Sequence, residues 1–141
     1  MPAVLSMAII GLRDVTPSLD LFPIKKLFCT FDISGDSKDS VKTNKHAVIK
    51  GSCNVFEIVS IEVDVPKDIQ YAPVLTVYVY DQLMGILGKR LVGVANIPLD
   101  RYCKKVMERY YNTATAFMGG TIEVDRIRLQ IDNKEEKKIT K

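Results

Sequence analysis

A chain of 141 residues with 47% hydrophobic and 26% charged residues has room for one domain with a real core, burying roughly 68–70% of its unfolded surface, and is too short for two ordinary domains. That composition excludes wholesale disorder. A net charge of +3 excludes the strongly basic balance of a dedicated nucleic-acid binder, so any attraction to phosphates has to come from clustering.

Taken in chain order, the opening MPAVLSMAIIGL is apolar but has no basic leader, and it meets Arg13 and Asp14 after too few residues to span a bilayer. It reads as a buried strand. Leu27, Cys29 and Phe31 alternate with period two, as a strand requires. Beyond the turn signal SGD at Ser34 to Asp36, Lys42 to Lys50 forms a shorter, more polar strand candidate, closed by KGS at Lys50 to Ser52. Ile61, Val63 and Val65 then alternate with Glu62 and Asp64, giving one core face and one wet face. Leu75, Val77 and Val79 alternate with Thr76, Tyr78 and Tyr80, a β-branched and aromatic composition that suits a strand. MGILG at Met84 to Gly88 is a loop signal, and Leu91 to Ile97 resume the alternation.

Past Pro98 the period changes. Asp100 can cap a helix in which Tyr102, Cys103, Val106, Met107 and Tyr110 share one stripe. Thr121 to Ile131 fits either a bulged strand or a helix face. The charged run DNKEEKKITK over 132–141 reads as a solvated tail or linker. No repeat interrupts residues 1–131, which are read as one domain. Many short strands with frequent turns predict an all-β sandwich or barrel.

The cysteines, Cys29, Cys53 and Cys103, are odd in number, widely spaced and without a CxxC pair. They fit a reducing, cytoplasmic compartment better than a disulfide framework. His46 is the one histidine and stands among lysines. A Cys53–His46 nucleophile pair is conceivable, but strand cysteines are usually small buried hydrophobes, and the chain is read as no enzyme. Neither a Gly-rich phosphate loop nor a zinc spacing is present.

Three runs in order carry a family likeness. KTNKHAVIKGSCNVFEIVSIEVDVP from Lys42 resembles the C2 pattern of a basic strand, a turn and an Asn before a strand that enters with an aromatic residue, here Asn54 and Phe56. PVLTVYVYD from Pro73 is similar to the strand leading into the third calcium loop, and KRLVGVANIPL from Lys89 to the strand leaving it. Among C2 domains the likeness is greatest to internal domains of ferlins, which carry a comparable GLRD opening, here Gly11 to Asp14, and a proline before the second strand, here Pro23. The resemblance covers about Val4 to Arg109 and implies an eight-stranded antiparallel β-sandwich, with a short helix after the seventh-strand region and the loops gathered at one end.

Typical members hold calcium there with several aspartates, because calcium takes six to eight oxygen ligands. Here Asp81 matches the first third-loop position, but Leu83 stands at the second and Lys89 near the third. The first loop offers Asp14 and Asp20. Three scattered carboxylates beside a cation make a poor cage, so Asp14, Asp20 and Asp81 are vestigial candidates, no metal or other cofactor is expected, and Asp81 reads first as a strand-ending turn residue.

Apolar residues replace the ligands. Leu83, Met84, Ile86 and Leu87 surround two glycines, with Lys89 and Arg90 directly behind. An apolar tip with a cationic collar can enter the acyl boundary while its cations meet anionic headgroups, or it can pack on a neighbouring C2 domain. A second surface is the basic run Lys38, Lys42, Lys45, His46 and Lys50, of which Lys42, Lys45 and Lys50 are the lipid-binding candidates. The resemblance therefore implies a calcium-independent C2 module of a ferlin-like protein, at the cytoplasmic face of membranes with any anchor outside this chain, engaging anionic phospholipid in vesicle docking, fusion or exocytosis. The alternative is a structural C2 domain that packs on sibling domains without lipid or calcium. Nucleic acid is not an expected partner, since the lysines lack interleaved exposed aromatics. Replacing Met84 and Leu87 together by Asp is expected to abolish sedimentation with anionic liposomes, and unchanged sedimentation would rule out insertion of the tip.

Overall fold

The computed structural model describes residues 2–15, 24–33, 36–83 and 88–113, the side chains of 36–39 and 110–113 excepted. Within them seven strands and one helix follow in order: β1 (Pro2–Leu12), β2 (Lys26–Ile33), β3 (Asp36–Lys42), β4 (His46–Ala47), β5 (Cys53–Asp64), β6 (Val74–Gln82), β7 (Lys89–Pro98) and α1 (Asp100–Thr113). A 3-10 turn at Ile69–Tyr71 separates β5 from β6. The architecture is an antiparallel β-sandwich of the C2 type with one short helix. Thr121 to Ile131, which fits either a bulged strand or a helix face, and the 132–141 tail both lie outside the described residues.

One sheet pairs β1 with β5, from Pro2 opposite Asp64 to Leu12 opposite Cys53. The other runs β3-β2-β6-β7, with β4 added to β2 through Lys26–Ala47 and Leu27–His46. The core forms where their inner faces meet. Val55, Val59, Ile61 and Val63 come from β5, Leu27, Cys29 and Phe31 from β2, and Leu75, Val77 and Val79 from β6. These are the odd-numbered phases of their strands, as period-two alternation requires. Ala95, Leu99 and Cys103 complete the core, and Tyr102, Val106 and Met107 pack on it from the helix. Asp100 is the first helical residue, where its charge favours the helix N-terminus, while the Leu99 carbonyl accepts the first bond from Cys103 N.

Two expectations change. The opening segment is a strand, but its residues alternate between exposed and half-buried instead of being buried, and Val4 and Ile10 remain 65% and 63% exposed. It covers only one face of the core, so its outward phase stays in water whatever its chemistry. The polar run Lys42 to Lys50 is not one strand either. β3 ends at Lys42 because Thr43 closes the ladder, its N–H donating to the Cys29 carbonyl at 2.9 Å and its hydroxyl accepting from Cys29 N at 2.9 Å. The chain then corners through Asn44 and Lys45 before β4. After β4, Ile49 and Ser52 exchange both backbone bonds around Lys50 and Gly51, whose φ angles are 51° and 75°. Positive φ at both central residues gives the turn whose twist matches a hairpin.

The GLRD opening has a structural cause. At Gly11, β1 lies so close to β5 that an added Cβ would stand 2.5 Å from the Cys53 carbonyl oxygen. Arg13 then reaches back, donating to the Cys53 carbonyl at 3.2 Å and to Asn54 Oδ1 at 2.9 Å. Gly11→Ala is therefore expected to destabilise the domain by about 1–3 kcal/mol, the usual penalty for forcing atoms into a filled site, and urea unfolding at constant slope measures it.

Candidate functional site

The end of the sandwich that carries the 83–88 loop is organised by β6 and β7. Asp81 continues the inward phase of Leu75, Val77 and Val79, so the strand drives a carboxylate into the core, where Asp81 is only 2% exposed. An unpaired charge there would be very costly. Arg90 Nη2 meets it at 2.9 Å. The pairing depends on an irregularity in β7: Val79 faces Gly93 but Tyr80 faces Leu91, so Val92 is an extra residue. Because side chains alternate strictly, one extra residue reverses every face beyond it. Arg90 therefore comes opposite Asp81 and Lys89 opposite Gln82.

On the outward face Phe28, Tyr80 and Tyr78 form a ladder, with ring centroids 5.4 Å and 6.1 Å apart. Lys89 Nζ sits 4.3 Å from the Tyr80 ring centroid, a cation–π contact that fixes the ammonium beside the ladder. Gln82 closes the loop base by donating from Nε2 to the Leu83 and Gly88 carbonyls, both at 3.0 Å. Leu83 N adds a 2.8 Å bond to the Gly88 carbonyl.

Beside this ladder opens a cleft of about 590 Å³ lined by Phe28, Lys42, Thr43, Asn44, Lys45, Gln82, Gly88 and Lys89. Three lysines and no acidic residue are among those lining residues. Among the described residues, none of the three lysines forms an ion pair. Lysine is a compact, rotatable phosphate donor, so three converging on one open cleft suit an oxyanion bearing several oxygens.

The structure therefore joins parts of two surfaces that the sequence analysis treats separately. Lys42 and Lys45, from the basic run, share the cleft with Lys89 from the loop collar. Lys50 is not among the lining residues, since it occupies the 49–52 turn, where the Gly51 carbonyl accepts from Val15 N. Arg90 turns to Asp81, and Leu83 is half-buried at the loop base. Met84, Ile86, Leu87 and Asp20 lie outside the described residues. Asp14 is exposed with φ at 55°, just after β1. Asp81 ends up as the buried half of an ion pair and not as a turn residue, so Arg90 already holds one of its oxygens.

Glu57 was not singled out in the sequence, although a signal existed: it stands on the inward phase of β5 between Val55 and Val59, where a hydrophobe is expected. Its carboxylate accepts from Asn44 N at 3.2 and 3.0 Å, from Asn44 Nδ2 at 3.1 Å and from His46 Nε2 at 2.5 Å. The His46 hydrogen bond, aided by Asn44, holds the Glu57 carboxyl below its ordinary value of 4.5 against the opposing effect of burial. The His46 ring is thus engaged with Glu57, while Cys53 Sγ contacts only the His46 carbonyl at 3.6 Å, so no Cys–His dyad forms. Burial raises the Cys53 and Cys103 thiols and pushes Cys29 up to about 12, which suppresses thiolate chemistry.

No protein-family model and no curated protein sequence matches the chain. Among solved structures it is similar to a C2 domain, domain A, of plant extended synaptotagmin 1, with a TM-score of 0.55 and 20% identity over 68% of each chain. The fold is that of a C2 domain. No helix among the described residues is long and apolar enough to cross a membrane.

Because folding depresses the Glu57 pKa, its contribution to stability is fully present above pH 4.5 and is lost as pH falls through the lower folded value. Wild type and Glu57→Gln are accordingly expected to differ most in unfolding free energy near neutral pH and to converge below pH 4.5. Chemical denaturation across that range measures it, and a gap that widens on acidification would contradict the assignment.

Proposed function

We propose that this domain is a calcium-independent C2 module that engages anionic phospholipid through the lysine cleft. The observation that carries this reading is the convergence of Lys42, Lys45 and Lys89, none of them ion-paired among the described residues, on one open cleft at the loop end. The pairing of Asp81 with Arg90 supports calcium independence, because it takes a candidate ligand out of reach of a cation in the loops. Each lysine near an anionic leaflet contributes about 1 kcal/mol, so the three together give reversible, salt-sensitive adhesion. The apolar loop tip at Leu83, Met84, Ile86 and Leu87 would add insertion to that electrostatic hold. With the ferlin likeness of its sequence, the domain would serve a larger protein in vesicle docking, fusion or exocytosis, working at the cytoplasmic surface of membranes.

A specific observation favours a second reading, a module that packs against sibling C2 domains. The outward face of the β1–β5 sheet exposes Phe56 and Ile58 at 73% and 80%, with Ile10 at the neighbouring end of β1 exposed at 63%. Such an apolar patch marks an interface of some kind.

Sedimentation with phosphatidylserine or phosphoinositide vesicles separates the two. Wild type is expected to pellet equally with calcium or chelator and to be released by salt, and the Lys42→Ala, Lys45→Ala, Lys89→Ala triple variant to bind on the order of a hundredfold more weakly. Binding that requires calcium overturns calcium independence, and absence of binding in every condition favours the packing module.

A further inference from the structure

We infer that Glu57 is a positioning residue for the lysine cleft, acting on it from the opposite sheet; the inference rests on the cleft reading above. Lys42 ends β3, and Lys45 lies in the corner that leads to β4. Among the described residues neither side chain forms an ion pair, so the backbone of the corner between them sets the positions from which both side chains extend. That backbone has two anchors. The first is the Thr43–Cys29 exchange within its own sheet. The second is Glu57, whose two carboxylate oxygens take the backbone N–H of Asn44, its side-chain amide and the His46 ring, gripping the corner on both sides of Lys45. Asn44 itself lines the cleft, whereas Glu57 does not.

β5 is irregular where it presents this carboxylate. Between the pairs Ile9–Glu57 and Gly11–Asn54, β1 has one residue and β5 has two, Val55 and Phe56. Phe56 takes a φ of 48°, a left-handed conformation that is costly for a bulky side chain. Its ring is exposed, so burial does not offset the strain. A strained residue beside a charged one on the core phase is the kind of outlier that points toward a functional constraint, and the constraint here is the grip on the 43–46 corner.

The sign of one measurement separates this role from simple electrostatics. Glu57 is an acid beside a cation cluster, so by Coulomb's law alone its removal tightens anion binding. As a positioning residue its removal weakens binding, because Lys42 and Lys45 no longer converge. With the full 141-residue chain and phosphatidylcholine vesicles doped with phosphatidylserine, Glu57→Ala is expected to bind about tenfold more weakly, between one and two lysines' worth of adhesion. Glu57→Gln keeps a carbonyl acceptor for Asn44 and is expected to restore most of the affinity. In a Lys42→Ala, Lys45→Ala background Glu57→Ala is expected to add nothing, since residues acting as a unit are not additive.

Affinity in Glu57→Ala equal to or above wild type overturns the inference, as does a loss that persists undiminished in the double-lysine background, which marks general unfolding. Should Glu57→Ala fail to fold, His46→Ala removes one strut without touching the cleft lining and is expected to weaken binding in the same direction; unchanged affinity overturns the role. Failure of the wild-type chain to bind these vesicles removes the cleft reading and this role with it, whereas failure of the positioning role alone leaves wild-type binding intact.

Discussion

A buried carboxylate organises the loop end of this domain. Asp81 lies on the same phase as the core residues of β6, and a charge in that position is tolerated only when paired and hydrogen-bonded. Arg90 supplies the partner from the next strand, and the extra residue Val92 in β7 is what places it there. The same reversal of phase carries Lys89 to the outer face, over the Tyr80 ring. One structural requirement, neutralising Asp81 inside the sandwich, thereby fixes the orientation of a cation that faces the cleft outside it.

Both sheets bear on the cleft. The β3-β2-β6-β7 sheet provides the aromatic ladder, Lys42 and Lys89, the corner before β4 provides Lys45, and the β1–β5 sheet provides the Glu57 carboxylate that grips that corner. Three lysines line an open cleft, and the acid that β6 supplies is buried against an arginine. Under the proposed function, such a cleft would meet phosphate oxygens through the lysines themselves.

Much of the fold was legible in the sequence because period-two alternation is a local property of a strand. Leu75, Val77 and Val79 identify β6, Ile61 and Val63 identify β5, and the change to helical spacing after Pro98 identifies α1. The polar stretch after β3 was less legible. Its break at Thr43 depends on a hydroxyl reaching Cys29 on another strand, and no local pattern records such a contact. The exposure of Val4 and Ile10 was hidden for a similar reason, since an apolar residue on the outward phase of β1 has the same composition as one on the inward phase.

The residue pattern alone set the strand phases, the turn at Lys50 and Gly51, and the supply of lysines in the 38–50 run and at Lys89. Which of those lysines share a surface was left to the packing of the strands. Lys45 and Lys50 are five positions apart, yet only Lys45 joins Lys42 at the cleft, while Lys89, distant in the chain, closes it. The cause is register. A hairpin turn takes Lys50 out of the cleft, and a single extra residue in β7 turns Lys89 outward and Arg90 inward, so the makeup of the cleft depends on pairings between strands that alternation within any one strand leaves open.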